Sequence, residues 1–199
     1  MGSMNGFLLA AVLALLQAPA PAPAPVPHPA PGNPVAVIST TVGEITVELF
    51  KDMAPVSTEN FLQYAAEGFY TGTVFHRVVA GFMIQGGGFT AALEEKPTRP
   101  PIRNEATNGL HNVRGTLAMA RTQSLRSATS QFFINVADNR IKLDHKGYSP
   151  EDFGYAVFGR VLSGMEVVDK IAAAPTRRAG PHEAVPVEPI VINAVKVKP

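Results

Sequence analysis

No cysteine and no tryptophan occur among the 199 residues. Without cysteine there is no disulfide framework, no thiolate metal site and no cysteine to carry a lipid, so stability must come from an apolar core. An excess of charge is missing too: 17 basic against 16 acidic side chains leave a formal charge of +1. The basic residues are scattered from Lys51 to Lys198 without a run, so no surface of clustered Lys and Arg is indicated that could neutralise a row of phosphates. Nucleic acid is therefore excluded as the expected partner. The apolar run Phe7–Leu16 would make a helix of about 15 Å, roughly half of a hydrocarbon core, and is too short for a stable membrane span.

What stands in place of charge at the start is an apolar and then proline-rich segment. The first 34 residues hold no Lys, Arg, Asp or Glu. Residues 1–17 read as a signal-peptide-like segment, and Ala18-Pro19-Ala20 supplies the small residues of a cleavage site. Residues 18–34 read as a Pro/Ala linker, a semi-rigid polyproline-like spacer. Export to a periplasmic compartment is the expectation that follows. Residues 35–199 remain as one domain, and a hydrophobic share of 46% over the whole chain is enough to fill its core.

Within that domain short strands dominate. Val35–Thr40 and Glu44–Phe50 flank the turn Thr41-Val42-Gly43, and the second alternates Ile45, Val47 and Leu49 with Thr46 and Glu48, which predicts a hairpin. Further strands are expected at Thr73–Val78, Phe82–Gln85, Gly115–Ala120, Gln131–Val136, Ala156–Val161 and Ile190–Lys196. Eight short strands point to a sandwich or a barrel. Two helices are expected, one opened by Pro55 and closed at Gly68, the other from Met165 to Ala174 and stopped by Pro175. Residues Glu94–Gly109 and Thr176–Pro189 read as long surface loops.

Phe75–Thr90, FHRVVAGFMIQGGGFT, sets one permanent cation and one amide among large apolar side chains. Arg77 cannot lose its proton at working pH, so it is a durable donor and a poor general acid. The segment predicts a pocket for an uncharged polar group. Gly86-Gly87-Gly88 lacks the Lys-Ser/Thr of a phosphate loop, so steric freedom explains it better. His76, His111 and His145 share no ligand spacing, and no metal or other cofactor is expected. Ser130, Asp144 and His145 lack a nucleophile elbow. Phe132 and Phe133, adjacent on one strand, should face opposite sides.

FHRVVAGFMIQGGGFT, GTLAMARTQSLRSATSQFFINVADN from Gly115 and FGYAVFGRV from Phe153 resemble a cyclophilin-type peptidyl-prolyl cis-trans isomerase, and nearest the periplasmic form of Gram-negative bacteria. The resemblance implies a mainly β fold, a closed eight-stranded antiparallel barrel capped by two α-helices, acting on proline-containing unfolded or flexible polypeptides. Rotation about the X-Pro bond faces a barrier of about 20 kcal/mol from amide resonance and breaks no bond. In the twisted state the proline nitrogen regains a lone pair, so a donor aimed there acts on the transition state. The resemblance gives this role to Arg77, with Phe82 and Gln85 beside it. Phe82, Met83, Phe133 and Leu143 form the cup for the proline ring, Gln85, Arg121 and Gln131 bind the peptide backbone, and Ala120 admits it. His76 and Tyr155 complete the substrate-binding set, Tyr155 standing where many relatives have histidine. Arg140-Ile141-Lys142 before Leu143 lacks the tryptophan or phenylalanine of relatives, so weak cyclosporin binding is expected. The alternative is a holdase that grips proline-containing chains with turnover secondary. A monomer is the default.

Overall fold

A computed structural model describes residues 30–198; the signal-peptide-like segment and most of the Pro/Ala linker lie outside them. The expected eight strands form one antiparallel sheet. They are β1 (Val35–Thr40), β2 (Gly43–Leu49), β3 (Thr73–Val79), β4 (Met83–Thr90), β5 (Thr116–Met119), β6 (Phe132–Asn135), β7 (Val157–Ser163) and β10 (Ile192–Val197). Their order is β10-β1-β2-β7-β5-β6-β4-β3. The two edges meet through a bridge between Val74 and Val191 and through Phe75 N–H donating to the Ile190 carbonyl at 3.0 Å. The sheet is thereby a nearly closed barrel, which spares it the exposed edges of an open one.

Inward-facing residues of alternate positions fill the barrel: Ile38, Ile45, Val47, Leu117, Phe132, Ile134, Phe158 and Ile192 are wholly buried. Helix α1 (Pro55–Ala66) adds Phe61, Tyr64 and Ala65 to this core, and α3 (Met165–Ala172) adds Val168 and Ile171. Helix α1 has no cap of its own. The carboxylate of Glu105 instead accepts from the Val56 and Ser57 amides at 3.1 and 2.8 Å and from the Ser57 hydroxyl at 2.8 Å. A negative charge at that end suits the helix dipole and pins the long 94–109 loop to α1.

Three differences from the sequence expectation concern polar or short segments. Residues 176–189, expected as a loop, contain a hairpin, β8 (Thr176–Ala179) with β9 (His182–Pro186), packed along β3. Its exposed residues carry no apolar alternation that would announce strands. One turn of helix, α2 (Arg140–Leu143), is too short to leave a periodic signal. Strand β4 runs on through all three glycines to Thr90 instead of ending at Gln85.

The described end of the linker lies against the barrel wall. Ala30 N–H and the Asn33 amide donate to one oxygen of the buried Glu48 carboxylate at 2.7 and 2.8 Å, and Arg160 Nε donates to the other at 2.7 Å. Burial by itself raises the Glu48 pKa, but the bonds from Asn33, Ala30 and Arg160 outweigh it and leave the group below its usual value.

Candidate active site

Strand register assembles the site. Arg77 on β3 pairs with Gln85 on β4, Gln85 with Phe133 on β6, Phe133 with Ala118 on β5, and Ala118 with Val157 on β7. Residues directly opposite on neighbouring strands share a face of the sheet. This row is the outer face, because Phe132, one residue from Phe133, belongs to the barrel core. Met83, Ala118, Phe133, Leu143 and Val157 thus form a second apolar cluster outside the barrel, with Phe82, Leu110, Ala120 and Tyr155 packed against it.

Above that cluster opens a cleft of about 250 Å³ lined by Arg77, Phe82, Met83, Gln85, Ala120, Arg121, Phe133, Leu143 and Tyr155. Nine of the residues named from the sequence therefore meet around one cavity. Arg77 is exposed, and its Nη1 lies 3.4 Å from Gln85 Oε1 and 3.9 Å from Met83 Sδ. Gln85 Nε2 donates to Gln131 Oε1 at 3.0 Å. Gln131 itself lines a neighbouring cleft of about 310 Å³ that shares Gln85, Ala120 and Arg121 with the first. The glycines explain how Gln131 reaches Gln85: a Cβ on Gly88 would stand 2.4 Å from Gln131 Cγ. The close approach that glycine allows here is thus by one of the chain's own side chains.

Buried asparagines that sequence reasoning did not single out hold the rim. Asn112 Nδ2 lies 3.2 Å from the Leu143 carbonyl and 3.2 Å from the Tyr155 carbonyl, while Asn112 N–H donates to Asp144 Oδ1 at 2.8 Å. Asn139 Nδ2 donates to the Phe82 carbonyl at 2.7 Å and to Asn135 Oδ1 at 2.7 Å. Asn135 in turn donates to Asn112 Oδ1 at 3.2 Å and Thr116 Oγ1 at 3.0 Å. Three cleft residues from separate parts of the chain, Phe82, Leu143 and Tyr155, are tied through one polar network whose buried members satisfy one another. A sequence signal exists only for Asn135, set in the apolar stretch Phe132–Val136, where an asparagine needs partners; Asn112 and Asn139 stand among polar and charged residues.

Two residues stand differently from the sequence expectation. His76 does not line the cleft; it is 4% exposed, tilted against Phe89 (4.6 Å between centroids) and edge-on to His182 (6.3 Å), and its Nδ1 has no hydrogen-bond partner. Burial first and the nearby His182 second lower its pKa to about 4; the Val74 carbonyl opposes them, Arg77 adds a smaller lowering and the Gln131 amide a still smaller opposing pull. Arg121 does line the cleft, but its N–H groups are turned away from it. Nε donates to the Gly154 carbonyl at 3.0 Å, Nη1 to that of Thr122 at 3.0 Å and Nη2 to that of Pro150 at 2.8 Å. Arg77 is left as the cleft's permanently charged donor whose recorded contacts are to side chains and not to main-chain carbonyls. Among the described residues no group of three or more His, Cys, Asp or Glu is placed to hold a metal ion, and no helix is long and apolar enough to cross a membrane.

The profile of the cyclophilin type peptidyl-prolyl cis-trans isomerases matches residues 35–197. The chain belongs to that family. Among curated cyclophilin relatives, peptidyl-prolyl cis-trans isomerase A of Dickeya dadantii is 55% identical over 81% of this chain and 83% of its own length. Peptidyl-prolyl cis-trans isomerase B of Escherichia coli is 54% identical over 79% of this chain and 96% of its own. A cyclophilin crystal structure from Cryptosporidium parvum superposes with a TM-score of 0.67 at 25% identity, covering 84% of this chain and 98% of that one. The same cyclophilin has been solved in the presence of the dipeptide Ala-Pro. The activity of this chain is peptidyl-prolyl cis-trans isomerisation, on the barrel fold that the resemblance implied.

Proposed function

We propose that the outer-face cleft binds the X-Pro pair of a flexible polypeptide, with the proline ring seated on Phe82, Met83, Phe133 and Leu143, and that Arg77 donates to the proline nitrogen as the amide twists. The observation that carries this reading is the contrast between the two arginines. Arg121 spends its donors on carbonyls, whereas Arg77 leans on Gln85 over an apolar cup and keeps N–H groups for a weakly basic acceptor. A nitrogen that is conjugated in both ground states is a poor acceptor there and a good one only in the twisted state, so this bond lowers the barrier without tightening the resting complex. Gln85 and Gln131, already joined, offer amide groups to the peptide backbone, and Ala120 leaves room for it.

Arg77→Ala is the experiment. Removal of one donor aimed at developing charge is expected to lower kcat/KM by about 10²- to 10³-fold, with little change in urea midpoint because Arg77 is exposed. A variant with near wild-type isomerisation would overturn the assignment. If suppression of client aggregation survives in a variant that no longer isomerises, holding unfolded chains is a separate property of the same cup. Cyclosporin is expected to inhibit weakly. The α2 turn presents Ile141 to solvent and Lys142 over the Phe82 ring at 5.6 Å, with no aromatic to stack on the ligand, and a nanomolar inhibition constant would contradict this.

We infer export for the same protein from residues 1–17, with residues 18–34 as spacer ahead of the catalytic domain. The mass of the mature N-terminus in a periplasmic fraction tests this, and an intact chain recovered from the cytoplasm would overturn it.

A further inference from the structure

Beside Arg121 lies a third cleft, of about 360 Å³, lined by Thr122, Gln123, Pro150 and Glu151. It shares Arg121 and Tyr155 with the proline cup. Arg121 builds the partition. Its bonds to the carbonyls of Pro150 and Gly154 tie the 144–154 loop to the end of β5, and its Cζ lies 4.7 Å over the Tyr155 ring. Tyr155 meets Phe133 edge-on at 5.7 Å, and its N–H closes the neck of the loop on the Leu143 carbonyl at 2.9 Å. One wall of the cup and one wall of the third cleft are therefore the same two side chains.

Donors and charge are spent differently in this cleft: carbonyls are neutral, so Arg121 keeps its positive charge while its N–H groups are occupied. Arg121 turns its N–H edges to carbonyl oxygens, so it cannot offer a carboxylate the paired bonds that a free guanidinium would. Glu151 is exposed at the lip and makes no ion pair with any described residue. The positive charge of Arg121 sits over the Tyr155 ring at the partition, so beside Glu151 a basic side chain meets an unpaired carboxylate and an acidic one meets a like charge. We propose that this cleft is an extended substrate subsite that selects a lysine or arginine flanking the X-Pro pair, with Glu151 as the selecting residue. The inference rests on the placement of proline in the cup described above.

The test compares otherwise identical peptides carrying Lys, Ala or Glu at each position flanking the X-Pro pair, with kcat/KM taken from exchange NMR at low salt. At the position that reaches the cleft, Lys should exceed Glu by about two- to fivefold, the range of an exposed ion pair, and 0.5 M salt should erase the difference. Glu151→Gln should abolish the preference and Glu151→Lys reverse it, while the alanine peptides turn over as in the wild type. An identical Lys-to-Glu ratio in wild type and Glu151→Lys at every position overturns the proposal. Turnover of the alanine peptides reports the cup separately: lost preference with intact turnover removes the subsite alone, and absence of turnover from every peptide removes both.

Discussion

Phe132 and Phe133 are consecutive, chemically identical and both nearly inaccessible, at 0% and 4% exposure, yet they belong to different parts of the molecule. Phe132 meets Phe61, Tyr70 and Phe75 edge-on inside the barrel, where the chain's own side chains fill all the space. Phe133 meets Tyr155 on one side and an open cleft on the other. The barrel core is finished by folding. The outer cluster is an apolar surface left incomplete, and in the function proposed above a proline ring is the neighbour it lacks. The same burial on either side of a strand thus yields stability in one case and affinity in the other.

The sharpest way to break that comparison is to truncate both rings. Phe132→Ala should cost about 3–5 kcal/mol of stability, read as a lower urea midpoint at unchanged slope, while the folded fraction keeps its turnover. Phe133→Ala should cost less than that, because fewer atoms surround the ring, and should raise KM for proline peptides severalfold or more. Equal stability losses, or loss of turnover in folded Phe132→Ala, would erase the distinction.

A second contrast sets His76, folded in neutral, against exposed Arg77 beside it. The folded histidine titrates near 4 instead of its ordinary 6.5, so between those values the unfolded chain binds the extra proton. Stability from this group is fully present above about pH 6.5 and is lost as pH falls toward 4, at up to about 1.4 kcal/mol per pH unit. Glu48, lowered as well, adds its loss only further down, through the carboxylate range. Melting temperature against pH in wild type and His76→Gln separates them: the variant should flatten the curve above pH 4.5 and leave the acid limb. A wild-type curve that is level from pH 6.5 to 4.5 would contradict the burial of a neutral ring.

The smallest effect is expected at Gly88→Ala. The added methyl group would meet Gln131 from Cγ outward and must displace the whole side chain, so stability should fall by about 1–3 kcal/mol. Isomerisation should weaken more than stability does, because Gln131 leaves Gln85. Unchanged kcat/KM would show that the Gln85–Gln131 bond does not matter to turnover.

How much of this was legible beforehand depends on whether a property is local. The hairpin of β1 and β2, the Pro55 and Pro175 helix limits, and the opposed faces of Phe132 and Phe133 follow from alternation and from what proline cannot do. The β8–β9 hairpin did not show, because its exposed residues have no apolar period and its position depends on packing along β3.

The sequence by itself determined the chemistry available: no thiol, no clustered charge, one arginine and one amide in an apolar segment, and alternating strands enough for a barrel. An arginine can only donate, and that is true in any fold. Which arginine has donors to spare was decided by tertiary structure alone. The carbonyls that occupy Arg121 come from Pro150 and Gly154, and the asparagines that set Phe82, Leu143 and Tyr155 around one cleft come from Asn112, Asn135 and Asn139. Apart from the local Asn139–Asn135 bond, these hydrogen bonds join positions 29 to 57 residues apart, exist only once the sheet has closed, and are encoded by no residue pattern within either segment.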